Sequence, residues 1–208
     1  DTVLVNITGP GAVVEGQTTT AYTVSLTNNG APIQVAAGES ITVQLNYSGQ
    51  ASDGTDFTGV KTVTISGPAS SASFTLDTLD DAIAEGAESF TVTLGNITDS
   101  GAFEAIKAGA QNSVETTITD NDVTIITVNG GVSNGNVDVM EGDSAIFTVQ
   151  VNNAALNSTV ALALGETGDT ATNAVDYKTA FEYSLDNGVT WTSYTQDIDL
   201  PAGGNQTI

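Results

Sequence analysis

The sequence predicts an all-β protein of tandem seven-stranded antiparallel β-sandwiches, the second of them incomplete. Three observations carry this. Apolar and polar residues alternate with a period of two, as where Phe90, Val92 and Leu94 are separated by Thr91 and Thr93. Gly, Pro, Asn and Asp punctuate the gaps, as in Gly9-Pro10-Gly11, Asn28-Asn29-Gly30 and Gly67-Pro68. The whole pattern then begins again in the second half of the chain.

Taken in order, the alternation predicts strands over residues 2–8, 19–27, 41–47, 60–66, 72–78, 89–94 and 114–119. Seven short strands in about 120 residues is the pattern of an antiparallel sandwich. Nothing has a convincing helical period, although residues 102–110 could form one short helical turn. The second copy repeats the signposts of the first. Ala12-Val13-Val14-Glu15-Gly16 and the strand Ala21-Tyr22-Thr23-Val24-Ser25-Leu26 recur as Asp138-Val139-Met140-Glu141-Gly142 and Ala145-Ile146-Phe147-Thr148-Val149-Gln150-Val151. Asp56-Phe57 recurs as Asp176-Tyr177, and Ile65-Ser66-Gly67-Pro68-Ala69 loosely as Ile198-Asp199-Leu200-Pro201-Ala202. Asp1 precedes its strand as Asp122 precedes Val123, so Asp1 reads as the tail of a preceding copy and the repeat as about 121 residues. This divides the chain into a complete repeat, 1–122, and a second, 123–208, that lacks its last two strands, because Ile208 aligns roughly with Phe74.

Composition narrows the function. Twenty-five Asp and Glu stand against three Lys and no Arg, for a net charge of −22. Such a chain repels phosphate backbones and anionic headgroups, which argues against nucleic-acid or anionic-membrane binding. It suits high solubility and cation binding. Cys is absent, so stability must come from the core or from metal. No apolar run approaches the ~20 residues that span a bilayer, and no direct membrane insertion is expected.

The acids are not spread evenly. Asp80, Asp81, Glu85 and Glu88 fall within one loop with no cation near them in sequence. Two carboxylates ~4 Å apart repel by roughly 4 kcal/mol at an effective dielectric near 20. Such a loop either splays its carboxylates into water, the plainer reading, or gathers them around a hard cation, for which oxygen ligands favour Ca²⁺ over zinc or copper. Consecutive antiparallel strands would put the first, third and fifth interstrand loops and the end of the seventh strand at one pole. Those places hold Glu15, then Asp53 and Asp56, then the Asp80–Glu88 acids, then Asp120 and Asp122. The opposite pole holds only Glu39, Asp99 and Glu104. A multi-ligand Ca²⁺ site next to the following domain accounts for the asymmetry. The third-strand loop offers Asp53 or Asp56, and Asp56 is preferred for its match to Asp176.

The second copy adds Phe181-Glu182-Tyr183-Ser184-Leu185-Asp186-Asn187-Gly188-Val189-Thr190-Trp191-Thr192-Ser193-Tyr194. Asn187-Gly188 between alternating runs signals a type I′ hairpin. Trp191, Tyr183 and Tyr194 are expected to cover the sandwich; a solvent-facing platform for sugar is the other reading.

Val14-Glu15-Gly16, Gly54-Thr55-Asp56-Phe57, Asp80-Asp81, Glu85-Gly86-Ala87-Glu88-Ser89-Phe90-Thr91-Val92-Thr93-Leu94 and the closing Asp120-Asn121-Asp122 together resemble the Calx-beta domain. They are similar in particular to the Calx-beta-like or immunoglobulin-like extender repeats of large bacterial RTX adhesins. The resemblance covers the first copy and two-thirds of the second. It implies a sandwich with Ca²⁺ held at one pole, with Glu15, Asp56, Asp80, Asp81, Glu85, Glu88, Asp120 and Asp122 as candidate ligands. It also implies a secreted, bacterial cell-surface protein serving adhesion and biofilm formation. Its repeats would be stiffened by calcium against neighbouring repeats of the same chain, with an inserted or adjacent ligand-binding domain as a further partner. The second copy departs from the pattern: Glu141 and Asp176 have no acidic fifth loop to join.

Two other functions compete with an extender. A module that binds glycan or peptide would use the second-copy hairpin or an exposed strand edge. An enzyme is disfavoured: with no His or Cys and only Lys61, Lys107 and Lys178, nucleophilic triads lack a base. Paired acids remain for glycosidase chemistry, but they sit where metal ligands are expected.

Overall fold

The computed structural model of the chain describes residues 2–130, 137–164, 170–178 and 180–208. Asp1, read above as the tail of a preceding copy, lies outside them. Every regular element among the described residues is a strand, and none of them forms a helix able to cross a membrane. Contacts divide the chain into two compact units: Asp1–Asp81 with Gly86–Asn121, and Ala82–Glu85 with Asp122–Ile208.

In unit one, one sheet contains β1 (Val3–Thr8), β3 (Tyr22–Asn28), β4 (Ala31–Pro32), β8 (Ser71–Phe74) and β11 (Ile106–Ala108). The other runs in the order β2 (Ala12–Val14), β12 (Ser113–Thr119), β10 (Glu88–Asp99), β5 (Ser40–Gly49), β7 (Thr62–Ser66). A short ladder joins β6 (Phe57–Thr58) to β9 (Asp77–Thr78). The alternation does what it predicts. Val3, Val5 and Ile7, with Tyr22, Val24 and Leu26, turn inward from the first sheet to meet Ile41, Val43, Phe90, Val92 and Ile118 from the second. The Tyr22 hydroxyl crosses between the sheets to Thr116 Oγ1 at 2.5 Å. Because the Thr116 hydroxyl donates to the Pro10 carbonyl, Tyr22 is the donor in this pair. Burial pushes the Tyr22 phenol up from its ordinary value, and the Thr116 hydrogen bond opposes that in part.

Each of the seven predicted segments contains a strand, but the described residues of the first repeat also form β2, β4 and β6, which the alternation does not predict, and three further differences stand out. The strand expected at 72–78 is two pieces, β8 on β3 and β9 on β6, because buried Leu76 bonds Thr19 instead, giving its N–H to Thr19 Oγ1 and taking the Thr19 N–H. The strand expected to end at Leu94 runs on to Asp99 through an irregularity between Leu94 and Ile97. The helical turn expected within 102–110 is absent. Asp99 caps the N–H groups of Gly101, Ala102 and Phe103, and the chain then extends into β11, parallel to β1. A lone helical turn is a costly nucleus. The open edge of β1 offers ladder hydrogen bonds without that cost.

Unit two contains β13 (Ile125–Gly130), β14 (Phe147–Asn152) and β19 (Gln206–Thr207) in one sheet. Two further ladders are β15 (Thr159–Val160) with β18 (Ile198–Asp199), and β16 (Glu182–Tyr183) with β17 (Thr192–Ser193). The internal repeat is visible in the pairing. β13-β14-β19 reproduces β1-β3-β8, and β15-β18 reproduces β5-β7. Even the loops agree: Asp56 Oδ2 takes the Ser52 N–H at 2.5 Å, and Asp176 Oδ2 takes the Thr172 N–H at 2.7 Å.

The β16–β17 hairpin forms, but not around a two-residue turn. Its register pairs Tyr183 with Thr192, leaving residues 184–191 as the loop. Asp186 explains this: its carboxylate accepts the Val189 and Thr190 N–H groups and the Ser184 and Thr190 hydroxyls. A side chain that satisfies the loop from within removes the need for a tight turn. Tyr183 and Tyr194 are partly buried, as expected of covering residues, whereas Trp191 is 47% exposed.

Candidate metal centre

Register places the first candidate ligand. β2 runs parallel to β12 with Val14 opposite Thr119, and the Glu15 N–H continues the ladder to the Thr119 carbonyl at 3.0 Å. Glu15 and Asp120 therefore leave the sheet side by side. Thr78, buried on β9, holds the turn that follows: its Oγ1 takes the Gln17 N–H at 3.0 Å and lies 2.7 Å from the Gln17 carbonyl. The turn passes through Gly16 at φ +72, where an added Cβ would lie 2.9 Å from Asp80 Cβ and Oδ1. Glycine is what lets the fifth loop approach.

That loop is tied in at several points. Asp81 N–H donates to Glu15 Oε1 at 3.3 Å, and Gly86 N–H to Asp120 Oδ2 at 2.9 Å. Asn121 gives its side-chain amide to Asp80 Oδ1 at 3.2 Å and approaches the Glu15 carbonyl at 3.4 Å. Asp56 is brought in by the β6–β9 ladder, with Leu79 N–H on the Asp56 carbonyl at 2.9 Å. Next to it, the Phe57 ring stacks on Phe90 with centroids 4.1 Å apart, drawing the Asp56 loop toward the start of β10, where Glu88 lies.

The eight predicted residues separate into two groups and a pair. Carboxylate oxygens of Glu15, Asp120 and Asp122 all lie within 4.8 Å of one another, and so do those of Asp56, Glu85 and Glu88. Glu85 and Asp122 stand at the edges of the two-unit division, joined by peptide bonds to Gly86 and Asn121. Asp80 and Asp81 belong to neither triplet but contact Asn121 and Glu15. Asp53 has a different role: with Lys61 it forms an ion pair, and the lysine's hydrogen bond, then the Gly59 N–H, hold its carboxyl below the ordinary value. This favours Asp56 as the acid left for a cation.

The donors fit a hard cation. All are oxygens, and ligands on opposite sides of an ion at Ca–O distances of ~2.3–2.6 Å stand about 5 Å apart, so oxygens that all lie within 4.8 Å of one another can share one ion. Without a cation, two unit charges at that spacing repel by roughly 3 kcal/mol at an effective dielectric near 20. Among the described residues, no such triplet forms around Glu141 or Asp176. Asn121, Thr78 and Gly16 are positioning residues that a pattern of carboxylates does not reveal. The only sequence trace of Asn121's role is its place between Asp120 and Asp122.

Fold and site together define a class: an antiparallel β-sandwich module with acidic loops converging at one pole. The Calx-beta domain family model matches residues 10–122 and again 119–193, and the chain belongs to that family. Among solved structures it is similar to the apo-form Calx CBD1 domain, with 22% identity over 59% of this chain and 100% of that one, TM-score 0.46. It is also similar to the calcium binding domain CBD12 of CALX1.1, with 23% identity over 55% of this chain and 42% of that one, TM-score 0.43. No curated protein matches the chain.

Proposed function

We propose that this chain is a Ca²⁺-stabilised extender segment of a bacterial cell-surface adhesin, with a binding and load-carrying role rather than an enzymatic one. The observation that carries the reading is the pair of carboxylate triplets, Glu15/Asp120/Asp122 and Asp56/Glu85/Glu88. Membership of the Calx-beta family supports it. Asp80 and Asp81 would complete the coordination from the fifth loop. A bound cation removes the repulsion within each triplet. Since Asp120 and Asp122 flank Asn121 where the two repeats join in sequence, it also restrains the backbone of 119–124. The secreted, surface-exposed setting belongs to the same proposal and rests on the family resemblance and the acidic, Cys-free composition.

The test is a thermal melt in millimolar Ca²⁺ and in chelator, with the Glu85→Gln/Glu88→Gln variant beside the parent chain. At 100-fold excess over the dissociation constant each site adds about 2.7 kcal/mol. For a domain of this size that is a rise of ~10 °C or more. Equal melting in both conditions would reduce the triplets to solvated loops. X-ray scattering unchanged by chelator would remove the linker role while leaving the binding sites.

A second reading rests on Trp191, nearly half exposed on the β16–β17 loop. Such a ring can stack on sugar or peptide. Retention on a glycan or peptide array that Trp191→Ala abolishes would establish it.

A further inference from the structure

Two Asn-Gly pairs stand in turns among the described residues, and their backbones are nearly the same. Asn29-Gly30 lies at φ +50 and +82 and Asn187-Gly188 at φ +57 and +84, the left-handed pair that such sequences favour. All four residues are exposed. What differs is the hold on the glycine nitrogen. The Gly188 N–H donates to Ser184 Oγ at 2.8 Å, inside a loop that Asp186 closes through the Val189 and Thr190 N–H groups. The Trp191 ring also lies 3.6 Å from where a Gly188 Cβ would be. The Gly30 N–H has no acceptor among the described residues, and nothing lies within 4 Å of the missing Gly30 Cβ. Little else holds that turn. β4 is a two-residue edge strand, and Pro32, its second residue, has no N–H to give the facing Thr27. The next hydrogen bond along the chain is from the Ile33 N–H to the Leu26 carbonyl, at 3.1 Å.

We infer that Asn29 is a site of spontaneous covalent modification, deamidation through a cyclic imide, and that Asn187 is protected from it. The Gly30 amide gives its proton to base, and its nitrogen attacks Asn29 Cγ. The bond from Cγ to the side-chain nitrogen breaks, ammonia leaves and a five-membered imide closes. Water then opens the ring at either carbonyl, leaving aspartate or isoaspartate at this position. No oxidant, cofactor or enzyme enters the balance. Attack requires the turn to leave its left-handed geometry for an instant, and the free energy of that local opening sets the rate. At Asn29 the opening breaks few contacts; at Asn187 it breaks those to Ser184 and Asp186. The isoaspartate product carries the main chain through one additional carbon atom, which a two-residue turn in the Asn28↔Ala31 register cannot accommodate. β4 is then released. Val35, buried and bonded through its N–H to the Ala69 carbonyl at 2.8 Å, keeps the chain beyond it in place. The site is independent of the carboxylate triplets and of the cation reading.

The full chain is aged in warm, mildly alkaline buffer beside a synthetic peptide with the sequence of residues 27–33, and both are followed by peptide mapping in a mass spectrometer. Deamidation exchanges NH for O in the mass, and an isoaspartyl methyltransferase reports the isoaspartate. Asn29 in the folded chain should convert within about tenfold of the peptide's rate, and Asn187 roughly tenfold or more slowly than Asn29. Asn129-Gly130, in the β13–β14 ladder, and Asn134-Gly135, outside the described residues, are read on their own peptides. Ser184→Ala frees the Gly188 nitrogen and should raise the rate at Asn187 several-fold, with Asn29 unchanged. In the aged chain the Ala31 amide should lose hydrogen-exchange protection in step with isoaspartate, while the Val35 amide keeps it. Asn29 as slow as Asn187, no conversion of Asn29 while the peptide converts fully, or an Asn187 rate unmoved by Ser184→Ala would each overturn the inference.

Discussion

Gly16 is the residue that lets the fifth loop close on the acidic pole. It sits at φ +72 in the turn after Glu15, and Asp80 packs where its Cβ would be. Gly54 has a positive φ too, +93, yet nothing lies within 4 Å of its missing Cβ. Its counterpart in the second repeat is Ala174 at φ +66, so that position accepts a methyl group. Gly54→Ala should therefore cost about 1 kcal/mol, the left-handed strain alone. Gly16→Ala should cost roughly 1 kcal/mol more and shift the Ca²⁺ midpoint upward, because Asp80 must move. Urea titrations with and without Ca²⁺ check both; equal costs would mean that the Asp80 contact is unimportant. Two glycines in similar turns look alike in a sequence. Only the neighbour at 2.9 Å separates them.

At the scale of the element, the β16–β17 hairpin is governed by one carboxylate. Hydrogen bonds from Thr190 and then from Ser184 and Val189 hold Asp186 down to about 2 from an ordinary 3.8. A carboxyl group whose folded value is depressed stabilises its loop above the unfolded value. The contribution is lost as pH falls from near 3.8 through about 2. In an acid titration followed by NMR, the Val189 and Thr190 amide signals should hold their folded positions until pH approaches that lower value. In Asp186→Asn they should show no such transition. Loss of both signals near pH 4 in the parent chain would contradict the loop assignment. Asn187-Gly188 signals a reversal, and a reversal is there. The loop length followed from Asp186 reaching forward to residues 189 and 190, a contact that turn statistics leave out. β11 teaches the same lesson: Ile106-Lys107-Ala108 has no strong period of its own, and the open edge of β1 decides its conformation.

For the whole molecule, a net charge of −22 makes two different responses to added salt separable. Monovalent ions screen repulsion without binding to particular carboxylates. Ca²⁺ at matched ionic strength should raise the melting temperature by several degrees more than NaCl. Mg²⁺ should fall between them, since it demands a tighter octahedral shell and sheds water reluctantly. Equal effects of all three salts would mean that the acidic pole acts as diffuse charge and holds no ion.

By itself the sequence determined the all-β class, the seven segments of the first repeat that hold its longer strands, the internal repeat and the presence of an acidic loop set. Those follow from local pattern: a period of two selects an inward and an outward face, and turn residues mark where chains reverse. The tertiary structure decided which acids stand together. Asp53 and Asp56 are three residues apart in sequence, but one is drawn off by Lys61 and the other toward Glu88 by the Phe57–Phe90 stack. It also decided that Asn121 and Thr78 hold the loops. These depend on strand register and on contacts between residues far apart in the chain, which no local pattern encodes.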